Sequence, residues 1–280
     1  MAEGIQSIIN TAKLLSLPEI YLRLKRLMAE PDFAMAEVAL VISHDPSLTA
    51  RLLKIVNSSL YSFPTPVETV SRAITLLGTQ QIHDIILVTA VAEAFKGMAP
   101  GIMDVRRFWR CAMQCAVTCR HLAAISQGSD QERLFAAGLL CDIGHLLMYQ
   151  AVPESMQQAI FLARETKLPM DQAERQILGF DYTEVGATLM EQWQLPTSLC
   201  TTTRYHNRIE EAKEFQLDVA LVHLAQRMTR ADDGEGEFDR GNLKVSSSAW
   251  EISGLQAQDC MELSGSIAED VRIAMELIFV

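Results

Sequence analysis

The chain has 280 residues, 49% of them hydrophobic and 6% aromatic, a composition that favours helix packed on helix over a β-sandwich. Its 35 acidic residues against 24 basic ones give a formal charge of −11, with no basic cluster longer than Arg106-Arg107. Nucleic acid, which needs a positive stripe to release counterions, is therefore excluded as an expected direct partner.

MAEGIQSIIN lacks the basic and apolar regions of a signal peptide. The apolar runs are interrupted by charge or Gly short of the roughly 18 residues that a membrane span needs. A cytoplasmic protein without a membrane partner is the expectation. Six cysteines in so long a helical chain make no disulfide framework; Cys111, Cys115 and Cys119 recur every fourth residue on one helical face, as small buried residues would.

In chain order, Ser16-Leu17-Pro18-Glu19 opens a helix over EIYLRLKRLMAE, in which Ile20, Leu24 and Leu27 share a face. A second helix, 35–43, stops at His44-Asp45-Pro46, and Asp45 caps a third through SLTARLLKIVNSS. YSFPTPVETV bends the chain with two prolines, and Asn57 and Ser58 before it suit bonding to the backbone there. Two further helices close on Gly78 and Gly97, each placed as a C′ residue.

GMAPGIM, 97–103, is the expected boundary. Beyond it, helices are predicted over 104–127, 130–150, 153–166, 169–177, 182–193, 197–206 and 216–230. ADDGEGEFDRGN, 231–242, is an acidic, Gly-rich segment predicted to be an exposed loop, and helices near 247–260 and 263–279 follow. The organisation expected is a helical subdomain over 1–100, a bundle over 101–230, and an acidic loop with closing helices over 231–280.

Two blocks carry a resemblance. LLKIVNSSLYSFPTPVETVSRAITLLGTQQIHDIIL is the first. The second runs through FWRCAMQCAV, AGLLCDIGHLLM, GFDYTEVGATLMEQWQLP and YHN. In order and spacing they resemble the HDOD family, bacterial signalling modules related to HD-type metal phosphohydrolases and HD-GYP phosphodiesterases. The resemblance implies an all-α fold with an N-terminal helical subdomain joined to a larger HD-like bundle.

Catalytic relatives hold one or two divalent ions through histidines and aspartates with a position left open for water. At the corresponding positions this chain has Cys111, Cys141, Asp142, Tyr182, His206 and Gln226. Asp142 and His206 alone are what the resemblance leaves of the ligand set, too few for a dinuclear centre. No catalytic residue and no cofactor is therefore expected. One alternative is zinc on Cys111, Cys141, Asp142 and His206, since thiolates, imidazole and carboxylate are acceptable ligands.

Simpler roles suit the other polar residues. Asp142 would be a carboxylate accepting hydrogen bonds from a helix end or from His206, and His145 a polar residue at a helix edge. Trp109 and Trp193 suit core anchors. Arg106, Arg107 and Arg110 leave a phosphate or nucleotide site as a minor option.

The function expected is a non-catalytic, stand-alone signal-transduction module that contacts a protein partner, its oligomeric state left open. A metal-dependent phosphohydrolase or phosphodiesterase, and a nucleotide sensor built on the former active-site pocket, are the alternatives.

Overall fold

A computed structural model of the chain describes residues 2–11, 17–58, 61, 63–95, 101, 103–126, 128–231 and 245–278. Every regular element among them is helical. The helices are α1 (Ala2–Thr11), α2 (Glu19–Met28), α3 (Met35–Ser43), α4 (Pro46–Val56), α5 (Val70–Leu77), α6 (Thr79–Ala94) and α7 (Val105–Ile125). They continue as α8 (Gln131–Leu140), α9 (Ile143–Ala151), α10 (Pro153–Thr166), α11 (Met170–Leu178) and α12 (Tyr182–Gln192). α13 (Thr197–Tyr205), α14 (Gln216–Ala231), α15 (Ser247–Ser253) and α16 (Ala257–Ile278) complete the order.

The chain divides into two compact units, one comprising Met1–Leu15 and Gly97–Ser264, the other Ser16–Lys96 and Gly265–Val280. The contact-based division departs from the sequence-based one at both ends. α1 packs on α9 and α12 of the larger unit, although it opens the chain. Most of the expected boundary segment 97–103, and the loop proper of 231–242, lie outside the described residues.

In the smaller unit, local chemistry sets the helix ends. Asp45 accepts a hydrogen bond from the Leu48 amide at 3.0 Å, with Pro46 at the first helical position, and His44 ends α3 with its ring against the Leu40 carbonyl. Gly78 separates α5 from α6 at φ 88° and ψ 159°, a region open to glycine but strained for other residues.

Asn57 closes the double-proline segment. Its Oδ1 accepts from the Val67 amide at 2.6 Å, while its Nδ2 donates to the carbonyls of Val67 and Leu53 at 2.8 and 2.9 Å. The sequence placed Asn57 at a chain end; the structure makes it the clasp of a loop ten residues long. Asn57→Ala should cost roughly 2 kcal/mol, because three backbone groups lose their partner at once. Urea unfolding measures this, and a loss below about 0.5 kcal/mol, the scale of an ordinary surface substitution, would contradict the clasp.

The larger unit is built on α7, which packs along α8 and α14. Gly138 permits the close approach of α7 and α8, since a Cβ there would lie 2.9 Å from both Ala116 Cα and the Cys115 carbonyl. Cys115 and Cys119 are buried on this face of α7 and Trp109 is buried near its start, whereas Trp193 is half-buried.

The predicted helix over 130–150 is interrupted. α8 stops at Leu140 and α9 starts at Ile143. Asp142 between them has φ −101° and ψ 7°, off the helical line. This break turns Asp142 out of the apolar run and toward α14. The span Gln131–Ala151 is long and apolar enough to cross a membrane by length and composition, contrary to the expectation from the interrupted runs. However, 72% of its most apolar window is buried inside the protein.

Candidate functional site

Five of the six positions singled out through the resemblance converge by hydrogen bond or close approach, and each is delivered by the end or inner face of a different element. Cys141 caps α8 and Asp142 precedes α9. Tyr182 is the first residue of α12, positioned by the Asp181 cap, which accepts from the Thr183 and Glu184 amides. His206 caps α13 at its C-terminus. Gln226 lies on the buried face of α14.

At the centre is the Gln226 side-chain amide. Its Nε2 is 2.7 Å from Asp142 Oδ1, 3.0 Å from the Tyr182 hydroxyl and 3.0 Å from His206 Nε2. The protons can be placed by elimination. His206 Nδ1 lies 2.9 Å from the Thr203 carbonyl, which can only accept, so Nδ1 carries the proton and Nε2 presents a lone pair. Burial also lowers the His206 pKa and keeps the ring neutral, opposing the pull of Asp142.

The Tyr182 hydroxyl accepts from Asn207 Nδ2 at 2.8 Å and from Arg230 Nη2 at 3.2 Å. Its own proton therefore goes to His206 Nε2, 3.0 Å away.

Asp142 is an acceptor in this network, as expected, but its donor is Gln226; His206 Nε2 stands 3.9 Å off. Nor is it fully buried, its side chain being 25% exposed. Burial would raise its pKa, yet the charges of Arg230, His145 and His206 together with the Gln226 bond hold it below the ordinary carboxylate value.

His145 departs from the helix-edge expectation. Its Nε2 is 2.9 Å from Glu174 Oε1 and its ring stacks on that of Tyr182, centroids 3.8 Å apart. Burial would lower its pKa, but Glu174 raises it. The other Glu174 oxygen accepts from the Tyr182 amide at 2.9 Å, so this buried pair fixes Tyr182 at both backbone and ring.

Cys141 Sγ donates to the Gly138 carbonyl at 3.2 Å and lies 3.8 Å from Cys115 Sγ. The facing Cys115 thiol and burial push its pKa well up. The ligand atoms of Cys141, Asp142 and His206 lie within 4.8 Å of one another. Cys111, half-buried, is outside that trio, and burial raises its thiol pKa despite Arg110 and Arg107 nearby.

This arrangement does not fit a divalent ion. The carboxylate, imidazole and phenol are already turned toward one N–H₂ donor, and the neighbouring thiol is held protonated. A cation would have to displace the amide.

Arg230, Asn207 and Glu174 were not singled out in the sequence. Arg230 follows Gln226 by one helical turn, and Asn207 follows His206 directly; those spacings were the available signal.

His223, beneath the cluster, directs Nδ1 at the His206 carbonyl at 2.6 Å, and its Nε2 accepts from the Ser246 amide. Burial, chiefly, holds its pKa down to about 4 from 6.5. Because the folded form stays neutral, this stability is present above pH 6.5 and is lost as pH falls toward 4; between pH 7 and 5 the loss is about 2 kcal/mol. His145, with its pKa raised, contributes with the opposite sign. The test is thus the difference in melting temperature between wild type and His223→Gln, which should narrow on acidification. A difference independent of pH would show that His223 does not titrate this way.

Comparison with known proteins bears on this geometry. The family model for the HDOD domain matches residues 14–209. The chain belongs to the HDOD domain family. A solved HDOD domain protein of unknown function from Geobacter sulfurreducens is 27% identical, superposes with a TM-score of 0.76, and is covered over 93% of its length by 95% of this chain. A Shewanella amazonensis structure that carries a provisional phosphohydrolase name is 24% identical with a TM-score of 0.74, covering 97% of this chain and 96% of that one. At that identity it supports the HD-related fold alone. An uncharacterised Treponema pallidum protein is 23% identical over 80% of the chain, which spans 44% of that curated relative.

Proposed function

We propose that this HDOD chain is a non-catalytic regulatory module of signal transduction, acting through contacts with a protein partner and without a resident metal. The observation that carries the reading is Gln226 Nε2, which stands within 3.0 Å of three groups that would otherwise face a cation. The Gln226 amide satisfies the carboxylate and the Tyr182 hydroxyl the imidazole lone pair where a metal would otherwise serve both, but neither activates water. What remains is a polar network that fixes the ends of α8, α12 and α13 against α14, with Gln226 Oε1 left unpaired among the described residues.

A metal-dependent phosphohydrolase is the second reading, favoured by Cys141, Asp142 and His206, whose ligand atoms lie within 4.8 Å of one another. The two separate in one experiment. Untagged protein is analysed for zinc, manganese and iron, then assayed for hydrolysis of nucleotides and cyclic dinucleotides with and without added Mn²⁺. The regulatory reading expects substoichiometric metal and no turnover. Metal-stimulated hydrolysis that disappears in both Asp142→Ala and His206→Ala would overturn it.

A further inference from the structure

The thiols that recur along one face of α7 meet another at the end of α8. Cys141, which caps α8, brings its Sγ to 3.8 Å from that of Cys115. Cys119 belongs to the same seam, since a Cβ on Gly138 would lie 2.7 Å from its Sγ, and the Cys141 thiol donates to the Gly138 carbonyl at 3.2 Å. All three side chains are buried, and all are free thiols. Alanine would fill such a seam as well as cysteine does; what thiols add is chemistry between them.

That chemistry is within reach. A disulfide places its two sulfurs about 2.0 Å apart, so Cys115 and Cys141 have to close by roughly 2 Å. Cys141 stands where α8 stops, and the next residue, Asp142, has already left the helical line at φ −101° and ψ 7°. Cys115, in the middle of α7, is the fixed partner. Bonding would take the Cys141 thiol off the Gly138 carbonyl and draw the chain before Asp142 toward α7. Asp142 holds the Gln226 amide at 2.7 Å, so the state of the sulfur pair bears directly on the amide-centred network.

We infer that Cys115 and Cys141 form a reversible disulfide, which makes the α7–α8 seam a redox-sensitive switch on the Asp142–Gln226 hydrogen bond. This rests on the regulatory reading and deepens it by naming the signal to which the module responds.

The oxidant is hydrogen peroxide. One sulfur attacks a peroxide oxygen and the O–O bond breaks; the sulfur keeps a hydroxyl as sulfenic acid, while the other oxygen takes the thiol proton and leaves as water. The second sulfur then attacks the first, the S–S bond forms, and the sulfenic hydroxyl leaves with the second thiol proton as another water. The two sulfurs give up two electrons, which reduce one peroxide. Peroxide reaches the pair from the α8–α9 break, where the Asp142 side chain is 25% exposed. The facing Cys115 thiol and burial hold Cys141 protonated, so attack is slow and the switch answers sustained oxidation. A dithiol reductant reverses it by thiol–disulfide exchange.

The reduced full chain is incubated with hydrogen peroxide under native conditions, remaining thiols are alkylated in denaturant, and the peptides are mapped by mass spectrometry. The expected result is loss of two of the six thiols into one Cys115–Cys141 cross-link, restored by dithiothreitol. The cross-link should vanish in Cys115→Ala and persist in Cys200→Ala, which removes a buried thiol of α13. Mapping is done on wild type, so it stays decisive if a variant folds poorly. His206 Nε2 lies 3.0 Å from the Gln226 amide, so its ring reports on the network by NMR. The His206 resonances should shift on oxidation of wild type and stay in place when Cys115→Ala is treated alike.

Six intact thiols, a cross-link that forms only in denaturant, oxidation of single cysteines without a cross-link, or a cross-link between another pair overturns the inference. A Cys115–Cys141 cross-link that leaves the His206 resonances unmoved overturns the switch. The regulatory reading stands in each of these cases, because its own test reads metal content and hydrolysis.

Discussion

Gly144→Ala is expected to be the most damaging single-methyl change in this chain. A Cβ at Gly144 would overlap the Tyr182 carbonyl oxygen and stand 2.8 Å from the Gly186 amide nitrogen and 2.9 Å from the Tyr182 carbonyl carbon. Those neighbours are backbone, so no rotamer change can clear the space. The first turn of α9 would have to move away from α12, and that motion would separate Asp142 from the α12 end that holds Tyr182. Overpacking in cores costs about 1–3 kcal/mol where side chains yield; against backbone, a loss of roughly 3 kcal/mol or more is expected. Chemical denaturation measures it, with Gly265→Ala as the comparison. Nothing lies within 4 Å of a Cβ there and the residue is helical, so that change should be neutral or stabilising by up to about 1 kcal/mol. Equal stability of the two variants would refute the close-packed account of α9 and α12.

The sequence made some of this legible because certain causes are local. Asp45 before Pro46 can cap a helix whatever surrounds it, and GFDYTE carries its own capping box, with Asp181 and Glu184 three residues apart. The all-α architecture follows from periodicity in the same way. The break at Cys141-Asp142 was hidden, because apolar residues continue in helical register on both sides of it and no Gly or Pro falls between Leu140 and Ile143. What decides the break is long-range: the carboxylate leaves the helix line to meet an amide 84 residues away. His145 was misjudged for a similar reason, since its Glu174 partner comes from α11. Of the residues that the resemblance singled out, Cys141, Asp142, Tyr182, His206 and Gln226 lie together, and Cys111 lies outside the trio of close ligand atoms. The resemblance did not give the sense of their hydrogen bonds, which depends on a carbonyl fixing the His206 tautomer.

Gln226→Glu tests that sense directly, since it preserves shape and exchanges the central N–H₂ for oxygen. At neutral pH the introduced carboxylate would face Asp142 Oδ1 across the distance now spanned by a 2.7 Å hydrogen bond, and would bring another acceptor against the His206 Nε2 lone pair. Arg230 offsets part of the repulsion. Two carboxylates this close cannot both stay ionised cheaply, so a loss of roughly 2–4 kcal/mol is expected.

Two further consequences separate this mechanism from simple misfolding. The introduced carboxyl has its folded pKa raised above the unfolded value, so the protonated variant is stabilised below that unfolded value, and the gain is lost as pH rises through the folded one. The deficit relative to wild type should therefore shrink on acidification. Mn²⁺ or Zn²⁺ should likewise raise the melting temperature of the variant, whose acceptors now lack a donor, and leave wild type unmoved. If wild type were stabilised by the ions as strongly as the variant, the amide would not be standing in for a cation, and the regulatory reading would lose its foundation.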